Sequence, residues 1–205
     1  MPAPERGGAF DLHVLRQDLD VRYEDGSGGG PLEIGRLGVS FYESIAAGAR
    51  LGIRLGAAGV SQTGRSATAG LDPSGQFLEL DFSGAWPHTG PVGLWLGLGW
   101  RYTSADAGYA NGDTVDLDWQ TVVLRPAVEL RPTRHLAARL GASVISVDGS
   151  ERRRGSTNVT TDFRADGDTG AFAALEFLLG GGDVISIRLD GGNPSGAYIS
   201  FEQRY

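Results

Sequence analysis

Residues 91–103 read PVGLWLGLGWRYT, and the apolar side chains of this stretch fall on every second position: Val92, Leu94, Leu96, Leu98, Trp100 and Tyr102. Gly93, Trp95, Gly97, Gly99 and Arg101 hold the other phase. A period of two puts the two sets on opposite faces of a β-strand. One face is apolar throughout and ends in Trp and Tyr, and the other is mostly glycine with one charge. That pairing fits a wall between lipid and a narrow polar interior better than a strand of a soluble core.

The rest of the chain is consistent with such a wall. Its 205 residues contain no Pro/Ser-rich linker or block of like charge, so residues 1–205 are read as one domain. Glycine, at 33 residues, is more than twice its usual share and has no collagen period, which points to many turns and crowded strands. With no cysteine, disulfides, thiolate metal sites and a cysteine nucleophile are excluded. A net charge of -7 argues against nucleic acid as a partner, because there is no cation excess to replace counterions on phosphates. All 18 basic residues are arginine, whose planar fork suits crowded ion-pair networks. No apolar run is long enough for a transmembrane helix. The start, MPAPERGGAF, has no apolar signal segment, so an exported protein is expected here in mature form.

Period-two segments separated by turn residues predict ten strands, at 10–24, 32–45, 48–62, 75–87, 91–106, 114–131, 134–149, 162–180, 183–191 and 195–205. The segment at 183–191 is short, which leaves eight strands as the alternative. Connections near Ala46–Ala47, Pro87–Gly90, Arg131–Arg134 and Gly180–Asp183 are short; those at 25–31, 63–74, 105–113, 149–162 and 191–195 are mostly longer. Transmembrane β-barrels alternate in this way, with short turns inside and longer loops outside. The expected fold is therefore all-β, a transmembrane antiparallel up-and-down barrel. Trp100, Tyr102 and Trp119 then form the outer part of an aromatic girdle and Trp86 and Tyr205 the inner part, at depths where an apolar ring can keep a polar tip wet. Two strands break phase. Leu117, Trp119 and Val123 oppose Leu124, Val128 and Leu130, which implies a bulge between Thr121 and Leu124; Leu12 and Val14 likewise oppose Leu19, Val21 and Tyr23.

From strand three onward the phase opposite the apolar one carries Arg50, Arg54, Glu79, Asp81, Arg101, Asp118, Arg125, Glu129, Arg139, Glu176, Arg188, Asp190, Glu202 and Arg204. Isolated ions in a small lumen are prohibitively costly, so near-balance of sign predicts a network of salt bridges. A selective pore would favour one sign, so a plug is expected and a narrow channel for small solutes is the alternative.

The ending GAYISFEQRY places Ile199, Phe201 and the terminal Tyr205 on one phase, and it resembles the C-terminal assembly signal of bacterial outer-membrane β-barrel proteins. Gln203 departs from that pattern, where an apolar or aromatic residue is usual. The resemblance covers nearly the whole chain and singles out no activity. It implies a porin-like cell-envelope protein in the outer membrane of a Gram-negative bacterium, inserted from the periplasm by the barrel-assembly machinery and bathed in outer-membrane lipid and lipopolysaccharide. A monomer is expected.

Catalytic signals are sparse. His13, His88 and His135 are scattered without ligand spacing, so no metal and no cofactor is expected. Omptin proteases, also ten-stranded, carry acids and a histidine near the outer rim; Asp106, Asp113 and Asp116 lie there, but no histidine does. Lipid A deacylases pair His with Ser on strands, and no such pair is visible in the sequence. Glu79 and Asp81 share a face at a spacing suited to acid–base work, though lumen alternation produces such pairs routinely. The run ERRRG, Glu151 to Gly155, could grip lipopolysaccharide phosphates. Asn158-Val159-Thr160 matches a glycosylation sequon, which has no force in a bacterial outer membrane. The expected function is non-enzymatic, in envelope integrity or surface interaction through the outer loops. A solute channel and a membrane-embedded hydrolase are the alternatives. A soluble lipocalin-like barrel, with apolar residues inside and charges outside, is the architectural rival.

Overall fold

Alternating β-branched, aromatic and glycine-rich segments form eleven strands: β1 (Gly8–Tyr23), β2 (Gly29–Ala46), β3 (Ala49–Gln62), β4 (Ser74–Ala85), β5 (Val92–Gly108), β6 (Thr114–Thr133), β7 (Leu136–Arg154), β8 (Val159–Ala165), β9 (Thr169–Leu178), β10 (Val184–Gly192) and β11 (Ser195–Arg204). The computed structural model describes residues 7–62, 71–86, 90–156 and 158–205. Every pairing is antiparallel. β1 to β7 pair in chain order, β7 passes to β9, β10 and β11, and β11 returns to β1, closing a ring of ten. Gly8 and Tyr205 exchange both backbone hydrogen bonds where the ring closes, so β1 begins and β11 ends at one mouth.

The predicted eighth strand is two strands. β9 pairs with the first half of β7, from Leu136↔Phe177 to Val144↔Thr169, and β8 pairs with the second half, from Asp148↔Arg164 to Arg153↔Val159. Past the short β10–β11 hairpin, β8 crosses to β1 through Val21↔Ala165, Arg22↔Arg164 and Tyr23↔Phe163. At the end with the chain termini the ring holds ten strands; at the far end β8 closes it with eight. Both strand numbers left open by the sequence are present, at different heights.

Asn193 pins the crossing. Its Nδ2 donates to the carbonyls of Asp20, Asp166 and Gly167, and its Oδ1 accepts from the Asp20 backbone N–H at 3.0 Å. These backbone groups face the step between the rings; the Asp20 carbonyl also accepts the Asp166 N–H, and the Asn193 amide satisfies the rest.

The expected bulge and the slip of the first strand are absent. β5 pairs with β6 without interruption from Val92↔Leu130 to Gly108↔Thr114, and β1 pairs with β2 from Gly8↔Glu43 to Arg22↔Gly29. Odd-numbered residues of β1 and β6 face inward along nearly their whole length. What changes is the chemistry of the interior. Toward the termini the inward residues are mostly polar, with aromatic rings among them; toward the other end they include Leu19, Val21, Leu32, Ile34, Val60, Val115, Leu117, Trp119, Ile145, Val147 and Phe163, one buried apolar core. The outward face changes in the opposite sense, from Phe10, Leu12 and Val14 to Arg16, Asp18, Asp20 and Arg22 along β1.

Strand length explains the two tiers. β6 has 20 residues and β7 has 19, against about 9–11 needed to cross a bilayer. The surplus stands beyond the apolar belt, where water outside requires an apolar inside. Much of what the sequence marks as long outer loops, 149–162 above all, is this strand overhang; the β10–β11 connection is only Asn193–Pro194.

Candidate functional site

The polar tier is a set of linked ion pairs. Arg54 Nη1 donates to Glu79 Oε1 at 2.9 Å, and Arg101 Nε to Glu79 Oε2 at 2.6 Å, with Asp81 3.8 Å from Arg54. These residues become neighbours because β3, β4 and β5 align Arg54↔Glu79 and Glu79↔Arg101 in register. Closer to the termini, Arg139 grips Glu176 with both Nη atoms, at 2.6 and 2.9 Å, and reaches Glu129 with Nε at 2.7 Å. Arg50 and Arg204 share Glu202, and Arg188 meets Asp190 at 3.0 Å. The predicted members Arg54, Glu79, Asp81, Arg101, Glu129, Arg139, Glu176, Arg188 and Glu202 thus lie together inside the ring. Asp118 does not; its phase is outward, where it accepts from the Tyr102 hydroxyl at 2.9 Å.

Aromatic rings pack among the charges. Trp95 points inward, 4.8 Å from the Arg139 guanidinium and 6.1 Å from the Phe172 ring. Gly97 makes its room, since a Cβ there would stand 2.4 Å from Trp95 Cη2. Tyr42 lies across Gly52 in the same way, beneath Arg50 and Arg54. The glycines opposite the apolar ladder are therefore spaces for neighbouring rings.

β1 and β2 add interior groups that the sequence reading passed over: Asp11, His13 and Arg36. Once β1 is read as slipping, its phase cannot be assigned. Asp11 accepts from Ser40 Oγ at 3.0 Å and lies 3.1 Å from His13 Nδ1; Ser40 Oγ is 3.2 Å from that same nitrogen. The fold thus assembles the His–Ser neighbours that the sequence did not reveal. In a hydrolytic relay the hydroxyl and the carboxylate occupy opposite ring nitrogens. Here both converge on Nδ1, all three residues are buried, and His13 is flanked by Tyr198 and Phe77. This geometry fixes the ring and does not activate the hydroxyl. His135 lies in the β6–β7 turn, and His88 falls outside the described residues.

Above the polar tier the apolar core fills the ring. Trp119, expected in the outer girdle, is only 2% exposed and packs in this core. The reason is the unbroken phase of β6, which puts Trp119 on the inward side with Val115 and Val123. Trp100 and Tyr102 do face outward at the upper edge of the belt, while Trp86 and Tyr205 stand exposed at the mouth with the termini. The core is capped by Tyr23, whose hydroxyl donates to Glu151 Oε2 at 3.0 Å, and by Arg153, whose Nε reaches Glu151 Oε1 at 3.1 Å.

At the upper rim, Asp106 and Asp116 face outward, the latter 3.1 Å from Arg154. Within ERRRG only Arg152 has no ion-pair partner among the described residues. Asp113 receives the Ser156 hydroxyl at 2.7 Å and its backbone N–H at 2.9 Å, which ties the β5–β6 turn to the β7–β8 turn. Those two bonds hold the Asp113 carboxyl below the ordinary aspartate range.

In sequence, no family model and no curated protein matches the chain. In fold it is similar to outer membrane protease OmpT from Escherichia coli, with a TM-score of 0.51 and 6% identity over 98% of this chain and 94% of that one. It is similar also to the translocator domain of the autotransporter NalP from Neisseria meningitidis, with a TM-score of 0.51 and 11% identity over 97% and 88% of the two chains. Neisserial surface protein A aligns at a TM-score of 0.47 and 11% identity over 94% and 97%. The ring thus has the fold of outer-membrane β-barrels, with its apolar belt on the outward face.

Proposed function

We propose that this outer-membrane β-barrel protein is a closed, non-enzymatic surface module of the cell envelope, carrying a rigid β-turret above the lipid rather than a pore or a catalytic cleft. The observation that carries this reading is the apolar core of the outer tier: Trp119, Phe163, Leu117 and their neighbours fill the cross-section directly above the ion-pair network. Water and ions have no route through packed side chains at interior density. The outward face of the turret, with Asp18, Asp20, Arg22, Glu33, Asp118, Asp148 and Asp162, is the surface offered to a partner. Lipopolysaccharide surrounds the turret, with Arg152 at its upper rim free to meet phosphates. Ile199, Phe201 and Tyr205 serve recognition by the barrel-assembly machinery, and the protein acts as a monomer.

Planar-bilayer recording tests the closed state. The protein is expected to add no steady conductance, and the double variant Trp119→Ala/Phe163→Ala to produce brief openings through the emptied core. A steady, ion-selective conductance from the unaltered protein would replace this reading with the channel.

A further inference from the structure

The mouth that carries the termini is unlike the closed outer end. It opens into a vestibule of about 730 Å³, within the range of small-molecule sites, and five arginines line it: Arg50, Arg131, Arg134, Arg139 and Arg204. Three side-chain carboxylates answer them. Glu129 takes Arg131 and Arg139, Glu176 takes Arg139, and Glu202 takes Arg50 and Arg204. Positive charge is in excess although the chain as a whole carries -7.

Donors are also in excess. Arg131 and Arg204 each spend only Nε on their carboxylates, and Arg134 makes no side-chain hydrogen bond among the described residues, so the outer edges of three guanidiniums remain available at the mouth. Arg139 and Arg50 are immobilised beneath them, stacked on Trp95 and Tyr42 at 4.8 and 4.6 Å. Beyond the vestibule a smaller chamber of about 70 Å³ shares Arg50, Trp95 and Arg139 as walls and extends to Arg125. Arg125 has no hydrogen bond or ion pair among the described residues, and its Nε is buried and unpartnered. The walls of this chamber are mixed, Arg50, Arg54, Arg139 and Arg188 standing with Asp11, Asp81, Glu176 and Glu202, but none of these carboxylates bonds Arg125, and a buried guanidinium nitrogen without a partner is costly unless an acceptor can reach it. The fork geometry of arginine matches carboxylate and phosphate oxygens.

We propose that this vestibule is a binding site for a small periplasmic anion bearing two or more carboxylate or phosphate groups. One group is held by Arg131, Arg134 and Arg204 at the mouth, and another points toward Arg125. Because the apolar core seals the far end, such a ligand is retained and not passed on.

The test is calorimetric titration of the folded full-length protein in neutral, lipid-free detergent, with inorganic pyrophosphate and, separately, propane-1,2,3-tricarboxylate. One saturable site is expected for at least one of them. Arg131→Gln/Arg134→Gln, at exposed positions in the last residues of β6 and in the β6–β7 turn, should weaken it by about tenfold or more, as expected for lost charge-assisted hydrogen bonds. Arg125→Gln should weaken it as well, whereas Arg16→Gln, on the outward face of the turret, should change nothing. Competition by short-chain phosphatidylglycerol would identify a lipid headgroup as the source of the same anionic chemistry; indifference to it would identify a free solute. Absence of saturable binding of either probe at about 10 mM, or equal weakening by Arg16→Gln, would overturn the proposal.

Discussion

Trp100 and Trp119 look equivalent in sequence: each is an aromatic in an alternating run near a strand end. In the fold they face opposite ways, Trp100 toward lipid and Trp119 into the sealed core. Removing a fully buried aromatic costs about 3–5 kcal/mol, because the cavity does not collapse. Trp119→Ala and Phe163→Ala should therefore lower the unfolding free energy in detergent by about that much, and Trp100→Ala by clearly less. Equal losses at positions 100 and 119 would mean that the inward phase of β6 is wrong. Gly149 makes the packing visible from the other side: its Cβ would lie 2.4 Å from Phe163 Cζ and 2.6 Å from Trp119 Cβ. Gly149→Val should be as damaging as either truncation, through overpacking. The apolar ladder at 91–103 and the pairing of Glu79 with arginines were legible in the sequence, because alternation states which residues share a face. Which face looks inward was not legible in β1 or β6. A bulge and a change of interior chemistry produce the same string of letters, and only the register with both neighbours separates them.

The elements that depart most from their sequence reading meet at one place, the step where ten strands become eight. β8 and β9 run along β7 almost as one strand, and the break at Asp166–Asp168 lets β8 leave toward β1. Asn193 bonds three carbonyls and one N–H at that step, sharing the Asp20 carbonyl with the Asp166 N–H. Asn193→Ala removes the side-chain partner of the part-buried Asp20 N–H and of the Asp166 and Gly167 carbonyls, at about 1–3 kcal/mol. Hydrogen exchange of the β1–β8 pairing at Val21 and Tyr23 should then speed up by about 10–100-fold while the β3–β4 pairing keeps its rate. Unchanged exchange at Val21 would show that β8 holds its place without the pin. A second device ties the outer turns. Ser156 donates both its hydroxyl and its N–H to Asp113, and Gly155, at φ +137, lets the turn approach, since a Cβ there would meet Asp113 Oδ1. The Asp113 pKa is lowered in the folded state, so the clip is fully present above the ordinary aspartate value and is lost as pH falls through the depressed one. Proteolysis at residues 109–113 by an acid-active protease should therefore rise as pH drops below about 4, and Asp113→Asn should be cleaved with little dependence on pH. A wild-type profile as flat as that of the variant would remove the clip from the account.

The whole molecule resolves a choice that the sequence posed as either–or. A membrane barrel has an apolar outside and a polar inside, and a lipocalin-like barrel has the reverse; this chain does one below and the other above. The reversal occurs at one height around the ring. Outward residues turn polar between Val14 and Arg16 on β1, between Leu37 and Glu33 on β2, between Tyr102 and Ser104 on β5, and between Val122 and Gln120 on β6. Register links these positions across neighbouring strands, through Val14↔Leu37 and Tyr102↔Gln120. Independent bulges would not align in this way, so coincident phase changes in several strands are the sequence signal for a barrel that outgrows its membrane. The belt below the line, Val92 to Tyr102 on β5, measures about 25 Å once strand tilt is allowed for, the height of an outer-membrane apolar band. With no native cysteine, single spin labels can map this boundary directly. Labels at Leu37, Leu55 and Val128 should be relaxed by oxygen dissolved in lipid and be inert to a water-soluble nickel chelate; labels at Glu33, Asp118 and Asp148 should show the opposite. Leu98→Arg, near the middle of the belt, should cost about 2–4 kcal/mol of folding into the bilayer, whereas Asp118→Arg should cost almost nothing. If Glu33 and Asp118 report lipid, the membrane encloses the apolar core as well, the turret does not exist, and the surface proposed to meet a partner is buried in the bilayer.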